Sequence, residues 1–369
     1  MSTTTIAPAG ATVTLSDSYW ARRTWGDWLF ALLTVVGAVF AFQRYHGAMD
    51  DYEKAILAAT VPVVIWLGWF WRPLRNLMLV VAVLSLLAIA SYGGDLRRGD
   101  TVFWLKYFLS SQSAILWMSV LFFMSTIFYW LSMFAKGQST MLEGMGSRLA
   151  WVAVTLALVG TMVRWYEGHQ MGPDIGHIPV SNLYEVFVLF CWMTALFYLY
   201  YEARYQTRAL GAFVMLVVSA AVGFLLWYAL VRDAGQIQPL VPALKSWWMK
   251  LHVPANFIGY GTFALAAMVA FAYLIKQQAD ETRWYKLTPI WLLGIALCFV
   301  PIAFRQRGVG EAGGSYWFVY ALIATAIVGG ILLGRKRIAA RLPSFEVLDD
   351  VMYKAIAVGF AFFTIATVL

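Results

Sequence analysis

The residues with the clearest ligand chemistry are four histidines, His46, His169, His177 and His252. A neutral imidazole nitrogen can bind a metal ion or the iron of a haem. All four lie between long apolar segments or at the edge of one, and the topology derived below places them on the same side of a membrane. His46, in RYHGAMDDYE, is expected to be a solvated loop residue.

His252 lies in KSWWMKLHVPANFIGYG, where a tryptophan-rich loop meets the start of an apolar helix. The helix would fix the imidazole ring, while Trp247 and Trp248 would offer flat apolar faces to a planar ligand. The alternative is an interfacial histidine whose polar tip stays in water. The local sequence leaves both interpretations open.

His169 and His177 share the loop YEGHQMGPDIGHIPVSNLYE with Asp174. Two histidines and an aspartate could hold a metal, but the spacing between the histidines is not a helical ligand spacing, and no third histidine is near. The sequence therefore favours a loop without a metal.

The end of this loop, GHIPVSNLYEVFVLF, also has two interpretations. Ser181 or Asn182 could cap the following helix, with Glu185 at capping-box distance from Asn182. Alternatively, Asn182, Tyr184 and Glu185 face a pocket and bind a polar group or a partner loop.

Composition restricts the chain to the class of membrane proteins. It is 62% hydrophobic and only 12% charged, far less charge than a soluble domain of this length carries. Many of the 18 tryptophans lie at the ends of apolar runs, as in an interfacial belt. The net charge of +8 suits anionic lipid and not nucleic acid, because no basic run is interleaved with aromatics. Cys191 and Cys298 lie in apolar runs without a CxxC, so no disulfide is expected.

About eleven apolar segments are close to the roughly 20 residues that a helix needs to cross a bilayer. They cover residues 25–42, 55–71, 74–92, 113–134, 148–166, 183–201, 209–231, 253–275, 287–304, 317–334 and 351–369. This pattern predicts an all-α, polytopic transmembrane helix bundle. Because Lys and Arg resist translocation, the basic segment RKRIAAR and the acidic segment HGAMDDYE favour a cytoplasmic N-terminus. The longer loops, 91–112, 165–182 and 232–252, then lie outside.

Two function classes can be weighed on these features. A transporter of a hydrophobic or lipid-linked solute is disfavoured, because mid-span ionisable residues and internal repeats are missing from the pattern. A subunit that only scaffolds a partner complex would bind no ligand of its own.

Several segments resemble the CcsA/ResC family of cytochrome c biogenesis proteins. GHIPVSNLYE is similar to the signature loop of that family, and WMKLHVPANFIGYGTFAL to its segment with the first external haem-ligand histidine. LPSFEVLDDVMYKAIAVGFAFFTIATVL resembles the run that leads into the family's tryptophan-rich haem-binding loop. With SQSAILWMSVLFFMSTIFYW, the resemblance extends over residues 111–369, a haem-handling membrane core, and leaves residues 1–110 as an N-terminal tail with three helices.

The resemblance implies a protein of the bacterial inner membrane that presents haem b on the periplasmic side. A ResB-type membrane subunit would join it in a holocytochrome c synthase, which attaches the haem to the CxxCH thiols of apocytochrome c. His252 would be an axial ligand of the haem iron. Further contacts to haem would come from Trp247, Trp248, His177, Asn182, Tyr184 and Glu185. The family's WGxxWxWD loop and later histidines would follow Leu369, so the sequence is expected to be incomplete.

Overall fold

The regular structure of the chain is entirely helical wherever it is described. The computed structural model describes residue 20 and residues 23–135, 137, 139–172, 175–240, 242, 245–303 and 314–368, and all regular elements within these ranges are helices. This confirms the all-α fold that the apolar segments predict.

The long helices follow the predicted apolar segments. Those in the first half are α1 (Trp25–Tyr45), α2 (Asp51–Phe70), α3 (Arg72–Tyr92), the short α4 (Arg98–Thr101), α5 (Ser111–Phe134) and α6 (Ser139–Met171). Those in the second half are α7 (Leu183–Tyr205), α8 (Gly211–Arg232), α9 (Met249–Gln277), α10 (Trp284–Ala303), α11 (Gly314–Leu333), the short α12 (Arg335–Arg341) and α13 (Phe345–Val368). A 3-10 turn, His46–Ala48, and a π-helical turn, Leu105–Leu109, complete the described elements.

The chain is a multi-pass membrane protein. Nine of the described helices are long and apolar enough to cross a membrane. Two further helices of 20 residues, α10 and α11, border residues 304–313, which lie outside the described ranges. The predicted cytoplasmic position of the N-terminus concerns residues 1–19, which also lie outside them.

Two compact units make up the chain, Met1–Leu79 and Val80–Leu369, with their boundary inside α3. The division at residue 110 inferred from the family resemblance stays a prediction. In the first unit, Arg75 donates to the buried Asp27 carboxylate at 2.5 Å, and Trp69 donates from its ring to the Asp27 carbonyl at 2.9 Å. These bonds hold the starts of α1 and α3 to the end of α2.

The second unit is a helix bundle in which α5 packs along α6 and α8, and α9 packs along α7 and α13. Small residues permit the close approach of α6 to α5, because a Cβ at Gly160 would lie 2.9 Å from Ile115 and one at Gly146 would lie 2.9 Å from Tyr129. The starts of α5, α7 and α9 and the ends of α6 and α8 lie at one end of this bundle, called here the His252 end. The opposite end is called the Glu202 end.

Candidate functional site

The start of α7 is fixed by its cap. Asn182 is the N-cap residue, and its Oδ1 accepts a hydrogen bond from the backbone N–H of Glu185 at 2.9 Å. The Glu185 carboxylate accepts from the backbone N–H and the hydroxyl of Ser181, at 2.9 and 2.8 Å. Asn182 is therefore the cap, and the reciprocal bond goes to Ser181, one residue earlier than in a standard capping box.

Arg164 and Glu185 form a buried ion pair between α6 and α7. Nε of Arg164 donates to Oε1 of Glu185 at 2.8 Å, and the two side chains are only 3% and 2% exposed. The other guanidinium nitrogens donate to the carbonyl oxygens of Gly235 at 2.7 Å and Gln236 at 3.1 Å. The ring of Tyr184 lies 5.3 Å from the guanidinium carbon. Since a buried charge is stable only when it is paired and hydrogen-bonded, Arg164 ties α6, α7 and the loop after α8 together.

His177 links the loop before α7 to the loop after α8. Its Nδ1 lies 3.0 Å from the carbonyl oxygen of Ile178, and its Nε2 lies 3.3 Å from that of Gln238. Both ring nitrogens of His177 thus face backbone oxygens in this conformation.

An apolar cluster joins this loop to the start of α9. Val180, Leu189 and Met249 are its buried members. The partly buried side chains packed against them are Ile178, Val186, Trp192, Met193, Leu240, Val253 and Phe257. Because the neighbours of His177 and of His252 pack into one cluster, the structure brings the two predicted histidine segments together at the His252 end.

His252 lies in the first turn of α9 and is exposed. Its Nε2 lies 2.8 Å from Nδ2 of Asn256, one turn further along the helix. An amide N–H can only donate, so Nε2 accepts and the ring proton resides on Nδ1. This is the tautomer in which Nε2 keeps the lone pair that a metal ion would take.

Trp247 and Trp248 stack on each other just before α9. Their ring centroids are 4.1 Å apart with an interplanar angle of 23°. Trp248 is 39% exposed, and its carbonyl oxygen accepts from the backbone N–H of His252 at 2.7 Å. The stack lies directly before the turn that carries the imidazole, and its predicted role as an aromatic face for a ligand stays a prediction.

The matched family model is described as Cytochrome C assembly protein, and it covers residues 180–369. The cytochrome c biogenesis protein CcsA of Chlorella vulgaris is 34% identical over 250 residues, which are 67% of this chain and 68% of that protein. The chain belongs to the CcsA family of cytochrome c biogenesis proteins.

Further relatives have the same description. CcsA of Gloeobacter violaceus is 31% identical over 252 residues, 66% of this chain and 69% of that protein. CcsA of Synechocystis is 28% identical over 234 residues, 62% of this chain and 66% of that protein. No solved structure matches the chain.

Membership in the CcsA family assigns the chain to cytochrome c biogenesis. The family match contains Asn182, Tyr184, Glu185 and His252, and it begins three residues after His177. These relatives give no support to the alternative of a solute transporter. The roles predicted for the individual residues remain predictions.

The remaining histidines of this CcsA-type protein occupy other surroundings. His169, near the end of α6, packs closely against Gly176, where a Cβ would lie 2.1 Å from its Nδ1. His46, in the first unit, is exposed, with Nδ1 3.2 Å from the carbonyl oxygen of Gln43. Asp174 lies outside the described residues, and within the described ranges no group of three metal-ligating side chains forms.

Sequence reasoning missed two buried carboxylates of the CcsA core. Glu167, on α6, accepts from the Tyr92 hydroxyl at 2.7 Å and from the Ser111 hydroxyl at 2.5 Å at the His252 end. Glu202, on α7, lies at the other end and accepts from the hydroxyls of Tyr129 and Tyr198 at 2.7 and 2.8 Å. Both glutamates lie at or beyond the edge of an apolar segment, so the sequence pattern alone gave them no partner.

Proposed function

We propose that the chain binds haem b as a substrate at the His252 end, with His252 as an axial ligand of the iron, and presents it for attachment to apocytochrome c. The observation that carries the proposal is the exposed His252 ring in the first turn of α9, with Nε2 2.8 Å from the Asn256 amide and a tryptophan stack directly before the helix. The identity of the axial ligand is one of the main features by which a protein controls the reactivity of haem iron.

The surroundings of His252 suit a large planar apolar ligand. Trp248 stacks on Trp247 and is still 39% exposed as a residue, so part of its aromatic surface is open to a planar apolar ligand such as a porphyrin. The start of α9 packs into the Val180–Met249 cluster, and the first residues after α8 are bonded to Arg164 through the carbonyls of Gly235 and Gln236. A ligand site on such a support loses little freedom when it is filled.

His177, Asn182, Tyr184 and Glu185 support this site from behind. Their polar groups bond within the protein in the described conformation, so we assign them to positioning the two loops at the His252 end. Direct contact with haem would require those bonds to be exchanged for bonds to the ligand.

Basic residues support a periplasmic position for the His252 end in a bacterial inner membrane. The segment α12, RKRIAAR, lies at the Glu202 end, where Arg335 donates to the Glu281 carbonyl at 2.6 Å. Because basic segments resist translocation, the Glu202 end would face the cytoplasm. Haem bound at the opposite end would then meet periplasmic apocytochrome c.

The chemistry served by this site is thioether formation. A cysteine thiol of CxxCH adds across a haem vinyl group, so a C–S bond forms and the thiol proton ends on the neighbouring vinyl carbon without net oxidation. The thiolate is the reactive form of cysteine. No residue of this chain is proposed as the acid or base, and a ResB-type subunit is the proposed partner in the complete synthase.

Purification from haem-replete cells followed by absorption spectroscopy tests the proposal. The wild-type protein is expected to carry haem with an imidazole-ligated spectrum, and His252→Ala is expected to lose most of it and to regain the spectrum when imidazole is added. His46→Ala is the matched control, because His46 is equally an exposed histidine next to a helix but lies in the first unit.

Two results would contradict the proposal. If the wild-type protein carried no haem after purification from haem-replete cells, haem would not be a substrate bound by this chain. An unchanged haem content and spectrum in His252→Ala would show that the iron is held by other residues.

A further inference from the structure

The segment between α3 and α5 forms an aromatic surface beside the bundle. Phe103, Trp104, Tyr107 and Phe108 are all between 37% and 61% exposed. Their rings contact one another, with centroid separations of 5.2 Å for Phe103–Tyr107 and 5.9 Å for Trp104–Phe108. Such a surface at a helix start belongs to the level of the lipid headgroups, where aromatic rings are enriched.

This segment is held rigidly to α5. The Ser113 hydroxyl donates to the carbonyl oxygen of Lys106 at 2.6 Å, and the Trp117 ring N–H donates to that of Tyr107 at 2.7 Å. Leu105 is fully buried and anchors the π-helical turn from the other side. The two carbonyls that the turn leaves without helical partners are thus satisfied by α5 side chains, which fixes the segment in place.

A cavity of about 420 Å³ lies between the turn and α5. Its walls are Phe103, Tyr107, Phe108, Leu116 and Trp117, with Phe108 and Trp117 stacked at 5.9 Å and an interplanar angle of 7°. This volume is in the range of ordinary ligand sites. Apart from Ser113 and one lysine, the lining consists of aromatic and aliphatic side chains, so the part of a ligand inside the cavity must be largely apolar.

Lys106 is the charged member of the lining. Its ammonium lies 5.6 Å from the centroid of the Tyr107 ring, and among the described carboxylates none lies within ion-pair distance of it. The segment from residue 95 to residue 100 carries two exposed arginines and two exposed aspartates, whose charges balance, so the positive charge on this side of the cavity comes from Lys106. An anionic group would therefore be attracted to this side of the cavity.

The cavity continues into the lipid-facing side of α5. Exposed apolar side chains recur along this helix every three or four residues, at Leu116, Val120, Met124, Ile127 and Leu131. On a transmembrane helix this stripe contacts acyl chains. A ligand with an anionic head and a long apolar tail fits both parts at once.

We infer that this cavity is a binding site for one anionic phospholipid, with its phosphate beside Lys106 and an acyl chain along the α5 stripe. Haem is the less suitable occupant, because the lining offers no histidine, cysteine or methionine to an iron. The inference is independent of the proposed role of His252.

Native mass spectrometry of the purified full chain, titrated with phosphatidylglycerol or with phosphatidylcholine of the same acyl chains, tests this site. Wild type is expected to bind the first phosphatidylglycerol more tightly than phosphatidylcholine. Lys106→Gln is expected to lower that affinity about fivefold, the change typical of one basic residue at an anionic lipid surface. Lys106→Arg should retain it, and Leu116→Trp, which fills the cavity, should reduce binding of both lipids.

Arg232→Gln is the matched control, because it removes one exposed positive charge at the same end of the bundle. Equal affinities of Lys106→Gln and Arg232→Gln for phosphatidylglycerol would overturn the inference, as would equal affinities of wild type for the two lipids. Haem that displaces phosphatidylglycerol from wild type, while Leu116→Trp binds less haem, would assign the cavity to haem instead.

Discussion

The side-chain amide of Asn256 donates to Nε2 of His252 across one turn of α9, at 2.8 Å. Because the amide N–H donates, the bond corresponds to the Nδ1–H tautomer of the ring. It also engages the lone pair that an iron would need. Asn256 therefore orients the His252 ring and also competes with the iron for the lone pair of Nε2.

Asn256→Ala is expected to tighten haem binding about two- to tenfold, because a typical hydrogen bond contributes about 0.5–1.5 kcal/mol that iron ligation must otherwise replace. A haem titration followed by absorption spectroscopy measures the change. In the His252→Ala background the same substitution should have no effect. Weaker haem binding by Asn256→Ala would mean that orientation of the ring outweighs competition for its lone pair.

Arg164→Met is expected to destabilise the protein by about 3–5 kcal/mol, because it leaves the buried Glu185 carboxylate without its partner. Arg164→Met/Glu185→Met should lose less than Arg164→Met alone, since no unpaired charge remains. Unfolding in detergent gives both values, and Arg232→Met, at an exposed position on the same end, is the control. A double variant less stable than Arg164→Met would contradict this account.

Hydropathy predicted the helices well because a membrane span is a local property of about 20 residues. It failed where a helix continues beyond its apolar run. The predicted span 148–166 is only part of α6, Ser139–Met171, which is 33 residues long. The residues before position 148 also remain helical, because Gly146 and Ser147 are buried in the bundle. The predicted loop 91–112 likewise contains α4 and the π-helical turn. The turn is held by hydrogen bonds from Ser113 and Trp117 of α5, which hydropathy does not reveal.

At the candidate site, the sequence indicated the cap of α7 but not the pairing of the side chains. Asn182 is predicted from the sequence as a possible cap of the helix that follows, and the structure confirms that cap. The Arg164–Glu185 ion pair depends on α6 lying beside α7, and the Asn256 bond depends on rotamers, so neither follows from hydropathy. The sequence indicated no partner for Glu202, because its three hydroxyl partners come from α5, from α6 and from the preceding turn of α7.

Tyr129→Phe is expected to cost about 1–3 kcal/mol, because it removes a buried donor to Glu202. The same carboxylate also accepts from Tyr198 at 2.8 Å and from Ser147 at 2.6 Å, so Tyr198→Phe should have a similar cost. Unfolding in detergent measures both, and Tyr353→Phe, at a residue 72% exposed, should be neutral. Haem binding should survive in folded Tyr129→Phe, since Glu202 lies at the other end of the bundle; its loss would show that the two ends are coupled.

Two glycines on α8 give opposite predictions for one substitution. A Cβ at Gly211 would lie 2.4 Å from the ring of Tyr129, which is fully buried, whereas a Cβ at Gly223 would meet nothing within 4 Å. Gly211→Ala is therefore expected to destabilise the bundle by about 1–3 kcal/mol through overpacking. Gly223→Ala is expected to be neutral or to stabilise it by up to about 1 kcal/mol, the helix-propensity difference. Parallel unfolding curves of the two variants in the same detergent decide the matter, and equal midpoints would contradict the tight contact of Gly211 with the Tyr129 ring.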